Sequence, residues 1–269
     1  MPYPYLHYSD SLPAVGVLQR VLQARVDPDI ACDGHYGPET TRTVREFQRN
    51  QGLGLDGIVG RQTWPTLVAG APGLEVADCI DVFDPSLYEL EAEDVRRAGG
   101  TPFLIGGASN GLEQLIGDLV RGTRPGSVFL LRFHGHGSSG LAGISFGSGS
   151  EGFHRNTITF RGGAQMRAII ARLAPIFSPF GCIQFMHCST GHGQDGRDML
   201  GLVANATGVP ASAAVRTQYG GGLSTFRFEG QVVNVFPSGG TMEGWTRSLP
   251  SVTGRSVAPV GTNAAHSRP

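Results

Sequence analysis

The chain contains no lysine: all 21 of its basic side chains are arginine, set against 22 acids for a formal net charge of -1. The missing lysine is read as a GC-rich coding bias rather than as selection against amine chemistry. The near-zero net charge leaves no general electrostatic attraction to phosphate backbones or anionic lipid, so nucleic acid is not an expected partner. Cysteine is scarce too. Cys32, Cys79, Cys182 and Cys188 show no CxxC spacing and are too few for a disulfide scaffold, so free thiols are expected. No apolar run approaches the length of a membrane span, and the start MPYPYLHYSDSLP has neither the basic opening nor the apolar stretch of a secretory signal. With 40% hydrophobic and 16% charged residues the chain should nonetheless fold, and 269 residues suit a small domain plus one of ordinary size.

Val15, Leu18, Val21, Leu22 and Val26 recur at helical spacing and predict a first helix over 13–26. Asp33-Gly34 then leads through Gly37-Pro38 into a second helix, with Thr40, Val44 and Phe47 on one face. The pattern D-G-x-x-G-x-x-T returns at Asp56–Thr63, 23 residues on, again before a helix. Its glycines permit positive φ, which lets a tight loop feed a helix.

Together LQRVLQ, DGHYGPETTRTVREFQ and GLGLDGIVGRQTWPTL resemble the three-helix peptidoglycan-binding domain of bacterial wall hydrolases, over roughly residues 12–68 within a unit of 10–70. The resemblance implies a shallow groove beside the DG loops that takes peptidoglycan strands or stem peptides. Candidate contacts are Asp33, His35, Tyr36, Asp56, Arg61 and Trp64; the competing readings are turn-shaping for the two aspartates and core packing for Trp64.

Small residues and proline at 71–77 suggest a linker, after which extended and amphipathic segments alternate. Strands are expected at 79–84, 101–106, 127–133, 182–187 and 211–215. Helices are expected near 90–98, 112–120, 166–177 and 199–206. This rhythm predicts a doubly wound α/β sheet domain over 78–240. A β-hairpin turning at Glu229-Gly230 is expected within 224–236, and a disordered tail over 247–269.

Open α/β sheets bind ligands at the carboxyl ends of their strands. Two apolar runs end there in reactive residues: SVFLLRF leads into His134-Gly135-His136-Gly137, and CIQFM into His187-Cys188-Ser189-Thr190-Gly191. An imidazole beside a thiol can withdraw its proton and produce a strong nucleophile. The backbone N–H groups of Gly137 and Cys188 would be available to a developing oxyanion. FHGHG before HCSTG, in that order, resembles the caspase-like clan of cysteine peptidases, over residues 78–220 in topology but only these two motifs in residues. The likeness implies Cys188 as nucleophile and His136 as base, with His134 as rival base. It departs from the pattern in having His187 before the cysteine and no legible specificity pocket.

The order His before Cys disfavours papain-like wall hydrolases, and the absence of S/T-H-G-C disfavours an L,D-transpeptidase. The leading expectation is a bacterial cysteine peptidase or amidase, directed to peptidoglycan or wall-associated protein and needing no cofactor. Its location would be the wall, periplasm or exterior, reached without a classical signal. The alternatives are a non-catalytic wall-binding scaffold with the same fold and a zinc amidase using His134, His136, His187, His192, Cys182 and Cys188.

Overall fold

The computed structural model describes residues 1–82, 85–105, 111–144 and 157–253. The first twelve residues precede the helices, turning at Tyr8–Ser9, and Leu6 forms a bridge with Val59. Three helices follow: α1 (Pro13–Arg25), α2 (Pro38–Asn50) and α3 (Thr63–Leu67). Both α1 and α2 open on proline, whose fixed φ suits a first turn.

The recurring loops have one structural cause. In the first, the buried Gln19 amide donates to Asp33 Oδ1 (2.9 Å), the His35 carbonyl (3.0 Å) and Thr40 Oγ1 (3.2 Å). Its oxygen accepts from the Gly34 N–H (2.8 Å). In the second, Gln48 donates to Asp56 Oδ1 (2.7 Å), the Ile58 carbonyl (3.0 Å) and Thr63 Oγ1 (3.3 Å), and accepts from the Gly57 N–H (2.9 Å). Each glutamine thus satisfies the polar groups of a loop at positive φ (Gly34 78°, Gly57 71°) that would otherwise be buried without partners.

The remaining elements are β1 (Glu75–Asp81), α4 (Pro85–Arg97), β2 (Phe103–Ile105), α5 (Gly111–Gly122), β3 (Val128–His134), β4 (Gly137–Ser138), β5 (Leu141–Gly143), β6 (Thr157–Thr159), α6 (Gly163–Ala171), β7 (Phe177–Met186), α7 (Gly193–Thr207), β8 (Ala211–Ala214), β9 (Val232–Val235) and α8 (Met242–Ser248). Six strands form one sheet in the order β2-β1-β3-β7-β8-β9, parallel except for β9. The short β4, β5 and β6 make a separate antiparallel sheet.

Four expectations change. The helix over 166–177 stops at Ala171 and gives way to a 3-10 turn at Ala174–Ile176, because Pro175 cannot extend an α-helix and β7 begins at Phe177. The hairpin over 224–236 does not form: β9 pairs with β8 instead. Side chains take the backbone groups that a hairpin ladder would have used. Gln218 donates to the Arg227 carbonyl (3.0 Å) and accepts from the Glu229 N–H (3.2 Å). Thirdly, the 71–77 segment is no loose tether, since Leu74 is buried and β1 starts at Glu75. Finally, the start of the expected tail, residues 247 and 248, is the end of helix α8, which is capped by the Thr241 hydroxyl accepting from the Gly244 N–H; residues 254–269 lie outside the described part.

The sheet has two different faces. On one, Ala77, Cys79, Leu131, Phe133, Ile183 and Phe185 pack under α5, α6 and α7. On the other, Leu130 and Cys182, with Phe129 and Phe180, join Leu18, Leu22 and Trp64 in one core, so the helical module covers this face; α4 covers Ile80 beside it. A row of polar residues crosses that face at one level, in the register Asp78–Arg132–Gln184–Ser212–Asn234. The N-terminal segment lies along it: Arg132 donates to the Pro2 carbonyl and Asn234 to the Ser11 carbonyl (3.0 Å).

Candidate functional site at the ends of β3 and β7

The last paired residues of β3 and β7 are His134 and Met186. His136 and Cys188 each follow two residues later, at the carboxyl ends of neighbouring parallel strands. Beyond the ladder the segments stay in contact. A Cβ added at Gly137 would stand 2.4 Å from Thr190 Oγ1 and 2.7 Å from His187 Cβ, so only glycine fits there. Thr190 holds the β4–β5 turn from the other side, its hydroxyl donating to the Leu141 carbonyl (2.9 Å) and its carbonyl accepting from the Gly140 N–H (3.1 Å).

Cys188 is half-buried and His136 is exposed. The Cys188 thiol lies against the Gln218 backbone, 3.3 Å from its carbonyl oxygen and 3.4 Å from its nitrogen. The next residue, Ser189, has φ 55°, a left-handed conformation that costs a non-glycine residue about 1–3 kcal/mol. Its N–H donates to the Arg216 carbonyl (2.8 Å), which holds the turn in place.

The other imidazoles separate into distinct roles. His134 is fully buried between Asp78 (Nε2 to Oδ1, 3.3 Å) and Glu91 (Nδ1 to Oε1, 3.4 Å). Burial alone would lower its pKa, but the Glu91 and Asp78 carboxylates override that and lift it to about 9. His134 thus sits between two carboxylates that favour its charged form. Burial would raise Asp78, yet Arg132 (2.6 Å) and His134 hold it below its ordinary value. His187 is buried next to the Gly143 carbonyl (2.8 Å from Nε2), and burial pushes it down to about 3, so it is neutral and donates there.

Among the described residues no three His, Cys, Asp or Glu side chains form a metal-holding group. The six donors of the zinc reading do not converge. Cys182 lies in the core under the module, His134 is held by acids and His187 by a carbonyl. Asp195 sits in the first turn of α7, whose cap position is His192. Sequence reasoning missed Asp78, Arg132, Glu91 and Gln218. Arg132 carried one usable signal, being a charged residue inside the apolar run Val128–Phe133.

In the helical module, Asp33 and Asp56 accept hydrogen bonds within their own loops, from the His35 N–H (2.8 Å) and the Ile58 N–H (2.9 Å). Tyr36 and Trp64 are buried. The Tyr36 hydroxyl donates to the Gly57 carbonyl (2.8 Å), and the Trp64 indole donates to the Pro4 carbonyl (2.7 Å) and stacks on Tyr3. Both are core residues in this conformation, whereas His35 and Arg61 are exposed.

Residues 11–67 match the family model described as "Putative peptidoglycan binding domain". The chain is 45% identical over 67 residues to an "Uncharacterized protein in bpoA1 3'region" from Kitasatospora aureofaciens, a match covering 24% of this chain and 55% of that protein. The chain thus spans about half the length of the curated relative it matches. No solved structure matches the chain.

Proposed function

We propose that a wall-binding module at residues 11–67 brings a caspase-like cysteine hydrolase, a peptidase or amidase, to peptidoglycan or wall-attached protein. The observation that carries this is the placement of His136 and Cys188 at one level beyond two adjacent parallel strands, with the thiol half-exposed and followed by a left-handed residue. In the reaction His136 takes the Cys188 proton, and the thiolate attacks the amide carbonyl while the N–H groups of Gly137 and Cys188 hold the oxyanion. Collapse of the tetrahedral intermediate expels the amine, which leaves with the proton from His136. Water, deprotonated by His136, then hydrolyses the thioester and restores the thiol. No helix among the described residues is long and apolar enough to cross a membrane. Wall association fits the module and belongs to the same proposal.

The test is residue-resolved alkylation by limiting iodoacetamide at mildly acidic pH. Cys79 and Cys182 are buried and serve as unreactive controls, while half-buried Cys32, whose thiol burial pushes upward, is the accessible one. Cys188 should react well ahead of Cys32 and lose that lead in His136→Ala. Muropeptide or protein cleavage should disappear in Cys188→Ala. If Cys188 reacts no faster than Cys32, the dyad fails. The second reading, a wall-binding scaffold, is favoured by the engagement of the thiol with both backbone atoms of Gln218, and it predicts wall binding without turnover.

A further inference from the structure

From the end of β8 the chain runs beside the Cys188 turn. The Gly191 N–H donates to the Ala214 carbonyl (2.9 Å), the Ser189 N–H to the Arg216 carbonyl (2.8 Å), and Gln218 meets the sulphur itself. The thiol donates to the Gln218 carbonyl (3.3 Å) and accepts from the Gln218 N–H (3.4 Å). In that state the proton that His136 would take is directed at a backbone oxygen. A nucleophile so held is at rest.

Side chains, rather than a strand ladder, hold residues 216–224 in place. The buried Gln218 amide donates to the Arg227 carbonyl (3.0 Å) and the Ser224 carbonyl (3.5 Å), and its oxygen accepts from the Glu229 N–H (3.2 Å). The Glu229 carboxylate accepts from the Tyr219 N–H (2.9 Å) and the Ser224 hydroxyl. Asp94, on α4, accepts from the Gly222 N–H (2.6 Å) and the Thr225 hydroxyl (2.9 Å). Little apolar burial adds to these bonds, since Arg216, Thr217, Tyr219, Gly222 and Leu223 are exposed. Three glycines follow one another at 220–222, and Gly221 (φ 87°) and Gly222 (φ 63°) take conformations that only glycine adopts without strain. Both flanks are anchored, by β8 at Ala214 and by the buried Thr225. A segment with few buried apolar contacts between fixed ends opens at lower cost than the sheet beside it.

We propose that residues 216–224 are a lid over Cys188, closed in this conformation and latched by Gln218, Glu229 and Asp94. Opening lifts the Gln218 backbone from the sulphur and frees the thiol proton for His136. The regulatory role rests on the hydrolase reading above; the motion does not, because the accessibility of the thiol reports it without any turnover.

Follow alkylation of each thiol of the full chain by iodoacetamide as a function of pH, and compare the limiting rates on the alkaline side. There the thiols are fully ionised, so the rate reads access rather than acidity. Glu229→Ala removes two acceptors from the latch and should raise the limiting rate of Cys188 about tenfold, with Cys32 unchanged. Glu229→Gln should stay within about twofold of the wild type, since its amide can still bond to the Tyr219 N–H and the Ser224 hydroxyl. The buried Cys79 and Cys182 should remain unreactive, which verifies the fold. Should either react, Asp94→Ala, which releases the other side of the lid, takes the place of Glu229→Ala. A limiting rate for Cys188 that is unchanged or lower overturns the lid. The two readings also fail separately. Acceleration by Glu229→Ala together with a Cys188 reactivity indifferent to His136→Ala keeps the lid and removes the dyad; a His136-dependent lead over Cys32 that ignores Glu229→Ala does the reverse.

Discussion

His134 ends β3 and His187 directly follows β7; both are fully buried, and they are shifted in opposite directions, since the Glu91 and Asp78 carboxylates lie against His134 while His187 is buried against the Gly143 carbonyl. The contrast sets a pH profile for stability. The unfolded value of both is about 6.5. His134 is raised to about 9, so its contribution is complete below 6.5 and is lost as pH rises through 9. His187 is depressed to about 3, so below 6.5 the unfolded chain binds a proton that the native state refuses, and stability falls with pH down to 3. Each limb has a slope approaching about 1.4 kcal/mol per pH unit, and the maximum lies near pH 6.5. Chemical denaturation from pH 4 to 9.5 should show His187→Asn flattening the acid limb and His134→Gln the alkaline one. A profile flat from pH 5 to 8.5 would refute the assignment. Gly137 also acts at this scale: the space around it is filled, so Gly137→Ala should cost stability and disturb the Cys188 turn together.

At the scale of elements, the pseudo-repeat was visible in the sequence but its cause was not. Gln19 precedes its loop aspartate by 14 residues and Gln48 precedes its own by 8. Nothing in the repeat period pointed to them, because each glutamine comes from the preceding helix at whatever position faces the loop. Gln19→Ala and Gln48→Ala should each destabilise the chain by about 1–3 kcal/mol in urea unfolding, since the buried Gly34 or Gly57 N–H loses the glutamine oxygen it donates to. An effect under 0.5 kcal/mol would show that the loops hold themselves. The failed hairpin teaches the same limit. Alternation over 224–236 marks residues able to lie on a sheet, but the partner of β9 was decided by the free edge of β8.

For the whole molecule, the two parts share one core through Trp64, Phe129, Leu130 and Cys182, and the N-terminal segment is hydrogen-bonded along the sheet. The chain should therefore unfold in one calorimetric transition rather than two. Trp64→Ala should cost about 3–5 kcal/mol and lower the melting temperature of both parts together. Two well-separated transitions, with only the first moved by the variant, would show independent units. The docked arrangement also fixes the place of the helical module relative to Cys188, which a flexible linker would leave variable.

The sequence by itself determined the local events: helices that start at proline, loops that turn at Asp-Gly, apolar runs long enough for buried strands, and two strand ends carrying His136 and Cys188. These depend on spacing and on the properties of adjacent residues, which a linear reading contains. Only the tertiary structure decided which faces those elements present to one another. It buried Tyr36 and Trp64, placed His134 between two acids, brought Gln218 against the thiol, and laid residues 1–12 along the polar row of the sheet. The physical reason is that burial and pairing between residues as distant as Pro2 and Arg132 are set by packing of whole elements, and no local period encodes that.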